Sequence, residues 1–236
     1  MREEIGEKQF YLTPAHECSY LERRTANTLF LDPRDTHSSS TYLNLTRLGF
    51  RRSGGHLYRP HCRACNACVP TRIPVDGFVP NRRFRRVLRT NADIEIRIEP
   101  AVDDRATYAL YDRYISLRHR DGDMYPPSID QFRSFLFASW SETRFVSSYL
   151  DDRLVAIAVT DVLEEGLSAI YTFFEPDLVS RSLGVFSILQ QIELCRRIGA
   201  PYLYLGYWIK ESPKMRYKAD YKPIEVYTDG RWITLE

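Results

Sequence analysis

The chain has 236 residues, 44% of them hydrophobic and 13% aromatic, which allows a sizeable core and excludes a disordered protein. Its net charge of only +2 gives no reason by itself to expect a polyanionic partner. No apolar run is long enough to span a bilayer and the start MREEIGEKQF is too charged for a secretory leader, so the expected location is cytoplasmic, with no membrane partner. Without export, the five cysteines read as thiols or metal ligands rather than disulfides.

Long periodic runs are scarce up to about Pro100. Thr36–Thr41 is polar and serine-rich, as in a loop or lid. Asn44–Phe50 is a short helix candidate closed by Gly49, and Gly54-Gly55 marks a turn. RPHCRACNACVPTR then spaces Cys62, Cys65 and Cys68 three apart between Pro60 and Pro70. Ile73, Val75, Phe78 and Val79 suggest a short strand broken by Pro74, ahead of the run Asn81–Arg89. Ile94, Ile96 and Ile98 alternate with charges, the pattern of an amphipathic strand. From Arg47 to Arg89 there are eleven arginines, no lysine and one acid, Asp76, so this window carries +10 and the remainder −8. Such segregation predicts one strongly positive surface, and arginine suits bidentate phosphate contacts.

The second half is more regular. Asp104–Arg118 has helical spacing, and Ser128 followed by Gln131 predicts a capping box for a helix to about Ser139. Arg144–Leu150, a turn at Asp151-Asp152 and Leu154–Leu163 form a hairpin, and Leu167–Phe174 adds a strand. A helix from Ser182 stops at Gly199, with Cys195 on its apolar face. Tyr202–Ile209 reads as a strand in which Gly206 clears space for a close approach to the backbone. Beyond it Lys210, Lys214, Arg216, Lys218 and Lys222 mix with Tyr217 and Tyr221, a combination suited to an anionic, ring-bearing ligand such as an RNA end. Ile224–Tyr227 and Trp232–Leu235 close the chain as a hairpin over Asp229-Gly230. Helices, an antiparallel meander, a helix and a further strand are the element order of a GNAT-type acyltransferase. The expected fold is therefore α+β, a GNAT-like domain over residues 101–236 with a cysteine- and arginine-rich region, 1–100, packed against it. Acetyl-CoA users of that fold need a glycine-rich pyrophosphate loop. Val179–Gly184 offers one glycine, which counts against acetyl-CoA.

Cys18, LGFRRSGGHLYRPHCRACNACVPTRI, the arginine run Arg82–Arg89, YDRYISLRHRDGDM, SLGVFSILQQIEL and YLGYWIKESPKMRYKADYKPIE together resemble the aminoacyl-tRNA–protein transferases. The resemblance is to the bacterial aspartate/glutamate leucyltransferases in particular, with the eukaryotic arginyltransferases as relatives. It implies transfer of an aminoacyl group, leucyl favoured over arginyl, from charged tRNA to the α-amine of proteins beginning with Asp or Glu, as in an N-degron pathway. On that reading Tyr171, Tyr207 and Tyr217 are the catalytic candidates. Arg72, Arg118, Trp208, Lys210, Ser212, Lys214 and Lys218 are the candidates for binding the acceptor, and Arg82, Arg83, Arg85, Arg86 and Arg89 for binding tRNA. The ester is already activated, so the chemistry requires no cofactor. Thiolates at the observed spacing can wrap one ion, Cys18 supplying a fourth ligand beside Cys62, Cys65 and Cys68. Zinc is then the first choice and an iron–sulfur cluster the second, with metal-free packed thiols the alternative. His119 reads as structural or ligand-orienting. The competing functions are a non-catalytic, metal-dependent RNA-binding module and, more weakly, a small-molecule acetyltransferase.

Overall fold

The computed structural model describes residues 8–35 and 37–235. Thr36 and the charged start before Lys8 lie outside the described residues. Among the described residues, fourteen short and long strands form three sheets. The small first half supplies β1 (Phe10–Leu12), β2 (His16–Glu17), β3 (Thr25–Ala26), β4 (Thr28–Leu31), β5 (Arg51–Ser53) and β6 (His56–Pro60). Of these, β1-β4-β6-β5 make one antiparallel sheet and β2-β3 a separate ribbon.

The serine-rich stretch expected as a loop instead starts α1 (Ser39–Arg47). Ser38 has extended backbone and its side chain accepts from the Thr41 amide, so the serines nucleate a helix by capping it. The arginine run likewise folds as α2 (Arg82–Thr90), capped by Asn81, which accepts from the Phe84 amide. Phe84 and Val87, three apart, give α2 its single buried stripe.

The principal sheet runs β14-β13-β7-β12-β11-β10-β9-β8. Its strands are β7 (Val69–Pro74), β8 (Glu95–Pro100), β9 (Thr143–Leu150), β10 (Arg153–Leu163), β11 (Gly166–Phe174), β12 (Tyr202–Trp208), β13 (Ile224–Thr228) and β14 (Arg231–Leu235). The hairpin turns have left-handed residues at Asp151, Asp152, Asp229 and Gly230, the geometry that matches strand twist. Helices α3 (Arg105–Arg118) and α4 (Ile129–Leu136) bury Tyr111, Ile115, Phe132 and Leu136 against Phe145, Ile157 and Phe173. The opposite face of the sheet packs on α2 and α5 (Leu183–Ile198), with Cys195 fully buried as expected. Ser128 caps α4 through the Gln131 amide, but Gln131 turns away to meet Tyr111 and the Asp123 carbonyl, so the cap is one-sided.

The antiparallel β8–β9–β10–β11 meander, the α5 crossover and β12 parallel to β11 agree with the GNAT-type order. The division at residue 100 has no counterpart in the sheet. β7 lies between β12 and β13, and β8 is the edge strand beside β9, so two strands from the first hundred residues are built into the main sheet.

Candidate active site

The site arises where two neighbouring strands part. β11 and β12 pair in parallel only from Gly166 to Ser168 and from Tyr202 to Tyr204, after which their hydrogen bonding ends although both strands continue. Arg51 fills the root of this wedge, donating to Ser168 Oγ at 2.9 Å, to the Tyr204 carbonyl at 3.4 Å and to the Ala169 carbonyl. Gly206 has φ +80°, and a Cβ placed there would lie 3.2 Å from Arg51 Nε. The close approach expected at this glycine is therefore made by an arginine of the protein itself.

Aromatic groups line the open end. Tyr171 on β11 faces Tyr114 of α3 at 6.3 Å between rings, and Tyr114 packs on Phe174 at 4.8 Å and His119 at 4.9 Å. Arg118 lies over Phe174 at 5.6 Å. Lys214, in the turn after β12, pairs with Asp121 at 2.8 Å. Tyr217, more than a third exposed, follows in the 3-10 helix Arg216–Asp220. Burial pushes the Tyr171 and Tyr114 phenols up, Tyr114 to about 12, so both remain protonated hydrogen-bond donors at neutral pH. His119 is held below its ordinary value by burial and then by Lys214 and Arg118.

Of the anticipated groups, Tyr171, Tyr217 and Arg118 gather around Tyr114, and Lys214 lies by the adjacent His119. Tyr207 does not join them. Its hydroxyl is buried and donates to the Gly49 and Tyr58 carbonyls at 3.0 and 3.3 Å, tying β12 to the smaller sheet. Arg72 is also withdrawn, paired with Glu225 at 2.6 Å and stacked against Tyr202 and Trp232 at 3.6 and 4.5 Å. Trp208 donates to the Arg216 carbonyl, and the Ser212 carbonyl accepts from the Met215 and Arg216 amides, so both shape the turn. Lys210 stands exposed at its start. Lys218 is buried beneath it and donates to the Tyr207 carbonyl at 2.7 Å. Burial, aided by Arg51, pulls its amine down to about 7. Tyr114 and Arg51 had no role assigned from sequence. One looked like a core residue of a helix and the other like one arginine among eleven.

The single positive surface expected from the arginine window is divided. Arg52 is fully buried against Asp161 at 2.5 Å, Arg47 binds Glu165, and Arg51 and Arg72 are internal. Arg82, Arg83, Arg85, Arg86 and Arg89 remain exposed on α2. Arg82, Arg86 and Arg89 follow one another at helical spacing as a stripe. This helix is joined directly to the site. Phe84 stacks on Tyr221 at 4.7 Å, and Arg83 reaches Asp220 at 2.6 Å.

Cys18, Cys62, Cys65 and Cys68 line one cleft of about 320 Å³ together with Arg24, Arg59 and Tyr227. Burial and then the neighbouring thiols push Cys68 up to about 12. Arg24 lies 3.4 Å from the Cys65 sulfur. Four soft donors thus share a cleft, but among the described residues no three His, Cys, Asp or Glu side chains converge as metal ligands. Cys68 immediately precedes Val69, which pairs with Trp208, so the cleft opens at the same end of β12 as the aromatic site.

An acyltransferase-type sheet parted beside phenols, cations and an arginine helix defines the class of protein. Residues 16–86 match the family described as arginine-tRNA-protein transferase, N terminus, and residues 106–228 match its C terminus. The chain belongs to this aminoacyltransferase family. It is 54% identical to an aspartate/glutamate leucyltransferase of Alcanivorax borkumensis over 97% of this chain and 95% of that one. It is 54% identical to that of Marinobacter nauticus, covering 94% of each, and 52% identical to that of Pseudomonas fluorescens, covering 98% and 99%. Among solved structures, FemX aligns at 9% identity and a TM-score of 0.47 over 90% of this chain and 82% of its own, too loosely to bear on the site. Among the described residues, no helix is long and apolar enough to cross a membrane.

Proposed function

We propose that the protein transfers leucine from leucyl-tRNA to the α-amine of polypeptides beginning with Asp or Glu, in the cytoplasm. The observation that carries this reading is the junction of α2 with the aromatic site. Exposed arginines at helical spacing suit the phosphates of an acceptor arm, and the stacked Phe84–Tyr221 pair ties their helix to the turn that follows β12. The α-amine, with an ordinary pKa of about 7.7–8.0, is partly neutral and nucleophilic without a covalent intermediate. It attacks the ester carbonyl and an amide C–N bond forms. The C–O bond to ribose then breaks, the amine gives up a proton and the ribose oxygen takes one. The protein's part is placement and stabilisation of the oxyanion, for which the protonated Tyr171, Tyr114 and Tyr217 are the available donors. A zinc or iron–sulfur centre on Cys18, Cys62, Cys65 and Cys68 would be structural, bridging the β2–β3 ribbon and the segment leading into β7.

The test is transfer of labelled leucine to an Asp-first peptide from leucyl-tRNA, with arginyl-tRNA in parallel. Product with leucyl-tRNA alone is expected. Product only with arginyl-tRNA reassigns the donor, and none with either, despite intact tRNA binding, favours the RNA-binding module.

A further inference from the structure

The groups around the site's rim differ in how their charges are engaged. Arg72 is locked to a carboxylate inside the protein, and Lys218 is buried under the turn with its amine on a backbone carbonyl. Arg118 faces the opening with a ring beneath it and no carboxylate in contact among the described residues. Of these groups Lys214 combines exposure with an acidic partner, the Asp121 carboxylate at 2.8 Å, both side chains being about two-thirds exposed. Asp121 sits in the short loop that leaves α3 just after His119, and Gly122 bonds back to the His119 carbonyl in the same turn. A second acid of this loop, Asp123, instead accepts from the Ser19 hydroxyl at 3.5 Å.

Resting on the reading above, we propose that Lys214, with Arg118 beside it, receives the acidic side chain of the acceptor's first residue. Asp121 serves as a built-in stand-in for that side chain until the acceptor displaces it. The chemistry is a like-for-like exchange. One carboxylate leaves an ammonium as another arrives, so Lys214 keeps an anionic partner throughout while the released Asp121 carboxylate turns to solvent. An ion pair this exposed is weakly held, so displacement imposes only a modest handicap on binding. Aspartate matches Asp121 in length, and glutamate exceeds it by one methylene. The competitor also sets a threshold. A peptide whose first side chain carries no negative charge has nothing to offer Lys214 in exchange for Asp121, so it binds less well than an Asp- or Glu-first peptide.

The experiment measures kcat and KM for peptides that begin with Asp, Glu or the neutral isostere Asn, with charged tRNA saturating. Transfer by the unaltered protein tests the underlying reading, and the preference for Asp over Asn in each variant tests the proposal. Asp121→Asn is expected to lower KM for Asp- and Glu-first peptides by about threefold to fivefold, the range an exposed ion pair can impose, with kcat unchanged. Lys214→Met is expected to raise that KM at least tenfold and to shrink the preference for Asp over Asn. Lys214→Glu should accept a Lys-first peptide better than the unaltered protein does, a gain that misfolding cannot produce. Full preference for Asp in Lys214→Met, or a higher KM for Asp in Asp121→Asn, would overturn the assignment while leaving the transferase reading in place. No transfer by the unaltered protein would remove both.

Discussion

Two groups of arginines, adjacent in sequence, have opposite fates. Arg47, Arg51, Arg52 and Arg72 are turned inward, three of them onto carboxylates from the second half of the chain: Glu165, Asp161 and Glu225. Arg82, Arg85, Arg86 and Arg89 stand on α2 with no carboxylate partner among the described residues. The +10 and −8 segments of the sequence are therefore partly an internal device by which the early part of the chain is bound to the later part. Only the remainder is available to a polyanion. Charge counted along a sequence does not separate these uses, because the partners lie more than a hundred positions away.

The sharpest way to break the comparison is at Arg52. Removing its guanidinium in Arg52→Met leaves Asp161 buried with the Tyr42 and Thr143 hydroxyls as its donors among the described residues. A loss of about 3–5 kcal/mol of stability is expected in denaturant unfolding. A loss below about 1 kcal/mol would mean that water reaches the pair.

Lys218 extends the comparison to a buried cation without a carboxylate. Its folded value of about 7 lies below its ordinary 10.5, so between those limits the unfolded chain holds a proton that the folded chain has released. Stability should then rise with pH from about 7 to about 9, by up to about 1.4 kcal/mol per unit, above which the raised Cys68 and Cys195 thiols act in the opposite direction. Unfolding curves across that range should show the rise in the unaltered protein and not in Lys218→Met.

The smallest effect on the fold is expected where the charges are free. Replacing Arg82, Arg85, Arg86 and Arg89 with Ala should change stability by less than about 0.5 kcal/mol per site. Affinity for tRNA should nonetheless fall, and the slope of log affinity against log salt should flatten by about 0.9 for each phosphate that is no longer neutralised. An unchanged slope would make α2 an ordinary solvated helix.

Much of the second half was legible because its signals are local. The helical spacing of Asp104–Arg118, the Asp151-Asp152 turn and the Gly199 stop each depend on a few neighbouring residues, and each is found where its pattern predicts. The first half was less so. The α1 serines have loop composition, and only the extended backbone at Ser38 makes them a cap. In α2 the buried pair Phe84 and Val87 was outweighed by five arginines. The site was readable in part. The residue types around Tyr202–Pro223 indicated phenols and ammonium groups, but which of them face outward depends on the parting of β11 and β12. Tyr207 is buried instead by its bonds to Gly49 and Tyr58, Lys218 lies beneath the turn, and Tyr114 reaches Tyr171 from a distant helix, all contacts that the local pattern does not carry.

The position of β7 has a consequence for how the chain can be divided. A fragment that begins at residue 101 lacks the strand joining β12 to β13, so each is left with a row of unsatisfied amides and carbonyls. Such a piece is prone to stick to its own kind. Supplied with the missing portion as a separate polypeptide, it would have β7 to insert between β12 and β13, so the two pieces depend on each other for a closed sheet.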